Sequence, residues 1–347
     1  MRRVPDAALV SFRLGGRDGV SVESAKWAGA LRTLGWRVAT VAGEGPVDHV
    51  LPGLAMAATE APGLPELRRV LAPFDLVVVE NLCSLPLNPA AAAAVAAARA
   101  GRPTILHHHD LPWQRPHLAH HPPPPDDPAW AHVTINDLSR RELAQHRISA
   151  TTLYNRFDPE PPAGGRERVR RALGVADGTR LLLQPTRALE RKAVGAGLAL
   201  AAGVGATYWL LGPAEDGYGP ELDRLVARAG APVLRGTGEV ACSIDEAYAA
   251  CDAVVLPSTW EGFGNPSIES ATHRRPLAIG PYPVAAELAA FGFRWFDSAD
   301  PAPLAAWLGR PDDDLVRHNH RIAARHFDLA DLPDQLAGVL GGLGTGR

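Results

Sequence analysis

The 347-residue sequence holds only three cysteines, Cys83, Cys242 and Cys251. Three scattered thiols exclude a disulfide framework and lack the spacing of a zinc site, so a reducing compartment is expected. Long apolar runs are also missing. The longest, Ala90 to Ala98, is cut by Arg99 and falls far short of the roughly 20 residues that span a bilayer; its alanines read as an ordinary helix. No secretory leader is read at Met1-Arg2-Arg3, which runs into a strand-like segment, and a cytoplasmic protein is expected. Nor is there an excess of one charge. Lys and Arg number 35 against 38 Asp and Glu, a formal charge of −3, which argues against a nucleic-acid partner that would need a basic surface.

What is present is ordinary globular composition, 46% hydrophobic and 21% charged, in a chain longer than one core usually supports, so two domains are expected. Ala7 to Phe12, Trp36 to Val41, Phe74 to Val79, Pro103 to Leu106 and His132 to Asn136 read as strands of the first domain. Thr179 to Gln184, Thr207 to Leu211, Pro232 to Leu234, Ala253 to Leu256 and Pro276 to Ile279 read as strands of the second. Helical runs separate them, the signature of doubly wound parallel sheets. The expected division is residues 1–155, a linker over 156–165 and residues 166–325, with terminal helices over Asp312–Arg325 and Leu329–Leu343. The tract His121 to Pro128 is too rich in proline for helix or central strand and reads as a stiff surface loop.

Residues that can do chemistry gather where these strands end. After the first strand comes Arg13-Leu14-Gly15-Gly16-Arg17-Asp18-Gly19, then a helix from about Val22 to Leu34. Glycines there let the backbone approach a ligand, although many such turns keep glycine for packing alone. Glu80-Asn81 ends the third strand, with Asn81 a candidate acceptor contact or part of a capped loop. The fourth delivers His107-His108-His109-Asp110. Neighbours on an extended chain point to alternate faces, so at most two of these imidazoles could share an ion, and no metal is expected. In the second domain, Arg187 offers a fork of donors and Lys192 a point charge, both suited to a diphosphate; either is also compatible with a solvated basic side chain. The apolar run Ala253 to Leu256 leads into Trp260-Glu261-Gly262-Phe263-Gly264-Asn265-Pro266-Ser267-Ile268-Glu269, a tight loop opening a helix near Pro266. Unpaired amides at a helix start suit a phosphate, and the flanking carboxylates can accept from sugar hydroxyls.

Glu261 and Glu269, with Gly-Phe-Gly after the first, resemble the Glu-x7-Glu motif of the retaining glycosyltransferases of family 4, which have the GT-B fold. Arg187 and Lys192 are similar to that family's Arg-x4-Lys pair, with Arg191 the rival to Lys192. His109-Asp110-Leu111 is similar to its His-Asp segment, and Gly15-Gly16 to its loop facing the donor diphosphate. Asn155-Arg156-Phe157-Asp158 is similar to its Asn-Gly-x-Asp passage, with Arg156 in the glycine's place, and Asn265 stands where the family often has leucine.

The resemblance implies an α/β protein of GT-B fold: two Rossmann-like domains, an interdomain cleft and a C-terminal crossover helix, about 326–347, packing back on the first domain. It assigns the acceptor to residues 1–155 and the nucleotide-sugar donor to 166–325. It implies a retaining, metal-independent hexosyltransferase, with no cofactor beyond the sugar donor. Arg187 and Lys192 would hold the donor phosphates, Glu261 the sugar hydroxyls, Glu269 the ribose and His109 the reacting centre, with His107 on the same face. Gly15, Gly16, Gly262, Phe263, Gly264 and Asn265 would complete the donor contacts, and Arg235-Gly236-Thr237-Gly238 would lie along the nucleoside. A non-catalytic nucleotide-sugar-binding protein would keep the same residues, and a phosphorylase of this fold would need a pyridoxal phosphate lysine. The acceptor is not named by the sequence. Residues 1–155 carry 15 Lys or Arg against 14 Asp or Glu, so no basic face is evident and a soluble small molecule is favoured over a lipid.

Overall fold

The computed structural model describes residues 3–16, 18–237 and 242–343; Arg17 and Gly238, which belong to segments singled out above, lie outside them. The chain forms two compact units, one up to Arg156 and again from Leu329, the other Phe157–Asp328.

The first unit is built on a seven-stranded sheet of β1 (Asp6–Arg13), β2 (Arg37–Glu44), β3 (His49–Val50), β4 (Leu76–Glu80), β5 (Thr104–His108), β6 (Trp130–Thr134) and β7 (Ala150–Thr152). Its order is β3-β2-β1-β4-β5-β6-β7, and every neighbouring pair is parallel. Successive residues of β1 go to opposite faces, as the two-residue period of a strand requires: Ala7 and Leu9 join one core with Trp27 and Leu31, while Ala8, Val10 and Phe12 join another with Leu67 and Val95. Both faces are therefore covered, which is why the strands read as continuous apolar runs. The helix Leu332–Gly342 adds Leu332, Leu336 and Leu340 to the first of these cores, beside Trp27 of the helix Gly19–Thr33. Their four-residue spacing puts all three on one helical stripe. Pro333 lies in the first turn, so it opens a fresh helix and does not bend a longer one.

The second unit holds β8 (Leu181–Gln184), β9 (Thr207–Leu210), β10 (Val233–Arg235), β11 (Ala253–Leu256), β12 (Leu277–Ile279) and β13 (Phe296–Asp297), in the order β10-β9-β8-β11-β12-β13. All of its pairs are parallel too.

The structure moves several expected boundaries. β5 runs on through His107 and His108, whose side chains are buried. The first helix begins at Gly19 because Asp18 caps it, accepting from the Ser21 amide. The helix Asp137–Gln145 is capped by Asn136, whose side chain accepts from the Ser139 amide. The two-residue edge strands β3 and β13 and the three-residue β7 are too short for a periodic pattern to reveal. No helix among the described residues is long and apolar enough to cross a membrane.

Candidate active-site residues

In a doubly wound sheet the connections on either side of the strand-order reversal leave in opposite directions, and the crevice at the carboxyl ends there is where ligands bind. In the second unit that reversal lies between β8 and β11. The segment after β8 carries Arg187 and ends in a single turn, Glu190–Lys192; the segment after β11 carries Glu261. The Lys192 ammonium, 7% exposed, donates to Glu261 Oε1 at 2.5 Å, and the Ser258 hydroxyl donates to the same oxygen at 2.6 Å. Arg191 donates to Glu261 Oε2 at 3.2 Å and to the Trp260 carbonyl at 3.1 Å. Arg191, second to Lys192 by spacing, thus grips the other carboxylate oxygen. Burial works to raise the Glu261 pKa, but Lys192, Arg191 and Ser258 outweigh it and hold the carboxyl below its usual range. Burial also draws the Lys192 pKa down, opposed by Glu261. Arg187, one-third exposed, pairs with Glu215 at 2.5 Å.

Gly264 stands at φ +88°, and a Cβ there would meet the Tyr282 hydroxyl at 2.1 Å. The Phe263 ring is turned into an aromatic cluster with Phe157 and Phe327, at centroid distances of 6.1 and 6.2 Å. Asn265 is the N-cap residue of the helix Pro266–Thr272, yet its side chain makes no cap hydrogen bond. The amides that open this helix are not free, contrary to the sequence expectation. Those of Ser267, Ile268 and Glu269 donate to the carbonyls of Gly264 and Asn265 at 2.8–3.0 Å, because the glycine-rich loop closes back on the helix. Glu269 is half-buried and accepts from the Tyr248 hydroxyl at 2.6 Å.

In the first unit the reversal lies between β1 and β4. Gly15 takes φ +79°, and a Cβ there would come within 2.6 Å of Pro46. Gly16 follows, and beyond it the Asp18 carboxylate accepts from the Ser21 amide and hydroxyl at 3.2 and 2.8 Å. A protein carboxylate therefore already occupies the first turn of the helix after the Gly-Gly pair. At the end of β4, Glu80 is fully buried, with Oε2 2.8 Å from His107 Nδ1 and 2.9 Å from His109 Nε2. His107 and His109 share one face, as their spacing predicts, and Trp27 stacks on His107 at 4.1 Å. Asn81, at φ +60°, uses Oδ1 to accept from the His109 and Asp110 amides, both at 3.2 Å. Its side chain thus braces the loop that carries His109. Burial works to raise the Glu80 pKa, but His107 and His109 overcome it and hold the carboxyl at about 2, while burial lowers His107. One ligand atom from each of Glu80, His107 and His109 lies within 4.8 Å of the others, a donor set a divalent cation could use; here the close contacts are hydrogen bonds. The sequence reading placed the two imidazoles together but read Glu80 only as a strand end.

His108 points to the opposite face and joins a second buried chain: Ser84 Oγ to His108 Nδ1 at 2.6 Å, His108 Nε2 to His132 Nδ1 at 2.9 Å, and His132 Nε2 to Asp126 Oδ1 at 3.1 Å. Asp126 belongs to the proline-rich tract, which this chain ties to the sheet. Burial pushes His108 far below, and His132 below, the ordinary imidazole value of 6.5. These groups take up protons less readily in the fold than in the unfolded chain, which does so once the pH drops below about 6.5. Stability should therefore rise with pH through the window beneath 6.5 and be lost on acidification, by up to about 1.4 kcal/mol per pH unit for each such imidazole. The depressed Glu80 acts in the same direction in a lower window, its contribution fading as the pH falls from the unfolded value near 4.5 towards about 2. Urea unfolding of His108→Gln at several pH values between about 5 and 6.5 should give a slope shallower than the parent's by about one such imidazole; an unchanged slope would show that His108 is not held neutral.

A cavity of about 1140 Å³ opens at the other end of the second sheet, beside the residues that precede β8, β11 and β12. Five of the six arginines that line it have structural partners. Arg166 donates to the carbonyls of Ala249, Ala250 and Cys251, Arg170 to Ala250, and Arg275 to Tyr248 and Ala249, closing the last turn of the helix Ile244–Ala250. The candidate residues of the second unit lie at the opposite, carboxyl edge of its sheet.

Residues 191–307 match the family described as Glycosyl transferases group 1. The mannosylglucosylglycerate synthase of Thermotoga maritima is 26% identical, across 95% of this chain and 98% of its own length. The enzyme of the same name from Petrotoga mobilis is 25% identical, across 83% and 85%. Among solved structures, Anabaena HepE in complex with UDP-glucose superposes with a TM-score of 0.76 at 20% identity, covering 97% of this chain and 99% of that one. Sucrose-phosphate synthase from Thermosynechococcus elongatus gives 0.71 at 13% identity, covering 99% and 100%. At such identities the structural matches carry the fold.

Proposed function

Because this chain is a glycosyltransferase of group 1 with the GT-B fold, we propose that it moves a sugar from a nucleoside diphosphate sugar to an acceptor hydroxyl, with retention at the anomeric carbon and without a metal. The observation that carries the reading is the buried Lys192–Glu261–Arg191 cluster at the β8/β11 reversal. Breaking a glycosidic phosphate bond leaves negative charge on the departing diphosphate and positive charge on the sugar ring. Fixed cations meet the first without reorganising: Lys192 and Arg191 are already oriented by one carboxylate, and Arg187 lies in the same segment. Glu261, ionised and fixed by three donors, is placed to accept from donor-sugar hydroxyls, and Glu269, held by Tyr248, from the ribose. Gly15, Gly16 and Gly262 to Asn265 supply backbone to the donor, and His109 meets the reacting sugar.

Two relatives are named for making mannosylglucosylglycerate, which supports a small soluble acceptor. The low cysteine count supports a cytoplasmic setting. A binding protein that does not turn over its ligand is the competing reading, and one experiment separates the two. Thermal unfolding is followed with UDP-, GDP-, ADP- and dTDP-sugars, then nucleotide release with sugar acids as acceptors, in EDTA. One nucleotide at about a hundred times its Kd should add about 2.7 kcal/mol, and Arg187→Ala should abolish the shift. Release in EDTA, with an axial or equatorial anomeric proton matching the donor's, is the expected result. A shift without release would favour the binding protein, and no shift at all would remove the donor-site reading.

A further inference from the structure

We propose that Glu80 is a positioning residue that fixes the tautomer of His109, so that His109 presents Nδ1 as a bare hydrogen-bond acceptor to a substrate hydroxyl. The inference deepens the proposed function and rests on its placing of His109 at the reacting sugar. Parallel pairing puts Glu80 directly beside His107 in the neighbouring strand, and His109, two residues further on, leaves the strand on the same side. One carboxylate oxygen, Oε2, therefore meets both rings, at 2.8 and 2.9 Å. An ionised carboxylate only accepts hydrogen bonds, so each facing ring nitrogen must carry its proton: Nδ1 of His107 and Nε2 of His109.

The two imidazoles are then left in different states. On His107 the remaining nitrogen, Nε2, is buried without a partner, and its ring is covered by Trp27. It can serve only to buttress Glu80. On His109 the remaining nitrogen, Nδ1, has no hydrogen-bond partner among the described residues, and it is not among the sealed buried atoms. The backbone of His109 is clamped as well, through Asn81. The charged group facing this set from the helix Gly19–Thr33 is Glu23, fully buried and paired with Lys26 at 2.5 Å. His109 is thus built to take a hydrogen bond from a hydroxyl, with its proton-bearing side turned inward to Glu80.

The test combines nitrogen-15 NMR of the histidine rings with kinetics of Glu80→Gln. In the parent protein His109 should show the Nε2–H tautomer. In Glu80→Gln, which keeps the shape and loses the charge, the tautomers should mix, and kcat should fall by roughly 10²-fold, the low end for a misplaced acid–base group. The thermal shift with the donor nucleotide should persist, because that site is assigned to other residues. His107→Phe should leave the His109 tautomer as it is. An Nδ1–H tautomer in the parent protein would overturn the proposal even if Glu80→Gln failed to fold, as would full activity of Glu80→Gln, or tight Zn²⁺ binding by the parent that the variant loses. Absence of both nucleotide shift and turnover in the parent would instead remove the functional reading beneath it.

Discussion

Replacing Lys192 with methionine is expected to cost about 3–5 kcal/mol of folding stability, because removing one partner leaves the other charge buried and uncompensated. Glu261 is 6% exposed, and Lys192 and Ser258 share its Oε1; Arg191 reaches only Oε2, from a less buried position. That remaining contact should keep the loss towards the lower end. The methionine keeps most of the lysine stem, so the deficit is electrostatic and not a cavity. The double variant Lys192→Met, Glu261→Gln should recover most of the loss, since the neutral amide no longer needs a buried counter-charge. Transfer should behave otherwise. Losing one fixed donor to a departing oxyanion typically costs roughly 10²–10³ in kcat, and the double variant should stay as slow as the single one or slower. Urea unfolding and initial rates on the parent and the three variants, including Glu261→Gln alone, decide it. If the double variant is no more stable than Lys192→Met, the pair is not the source of the loss. If activity returns together with stability, Lys192 is a structural residue and the electrophilic role passes to Arg187 and Arg191.

The same cluster shows what the sequence could and could not reveal. Lys192 and Glu261 were each recognisable by the company they keep in sequence, but they are 69 residues apart, and nothing in their spacing says that they touch. The strand order does: β8 and β11 are neighbours at the reversal, and their following loops must meet at its carboxyl end. Central strands such as Leu181–Gln184 and Ala253–Leu256 were legible because burial on both faces leaves an apolar run. Where a buried strand carries polar groups the signal fails. His107 and His108 continue β5 without hydrophobicity because Glu80 meets Nδ1 of His107 while Ser84 and His132 meet the two ring nitrogens of His108, and partners brought by the fold are invisible to a pattern along the chain. The early start of the first helix was missed for a related reason, since Gly19 is a poor helix former and the cap supplied by Asp18 compensates for it. The opposite error occurred at Pro266. A helix start was read as a source of free amides, whereas a glycine-rich loop folding back on it satisfies them.

That loop gives the second large expectation. Gly264→Ala should destabilise the second unit by about 2–5 kcal/mol, the sum of about 1–2 for a left-handed backbone carrying a Cβ and about 1–3 for forcing an atom into a packed site. The two parts can be separated. The Cβ would lie 2.1 Å from Tyr282 Oη and 3.1 Å from its Cζ, so deleting the hydroxyl removes the worst contact and leaves the backbone strain. Tyr282 is 1% exposed and its hydroxyl donates to the Phe263 carbonyl at 3.3 Å, so the ring cannot swing aside, and Tyr282→Phe alone should cost about 1 kcal/mol. In a double-mutant cycle the pair Gly264→Ala, Tyr282→Phe should be more stable than Gly264→Ala by itself, with a coupling of about 0.5–3 kcal/mol. Activity need not follow. A shift of about 1 Å in a positioning loop can cost roughly 10²-fold, and Gly264→Ala should fall by that order with the donor nucleotide still binding. Additive stabilities would mean that the loop yields elsewhere and that Tyr282 does not hold it. An active Gly264→Ala that unfolds early would mean that the backbone between Gly262 and Asn265 contributes to stability and not to the chemistry of the donor.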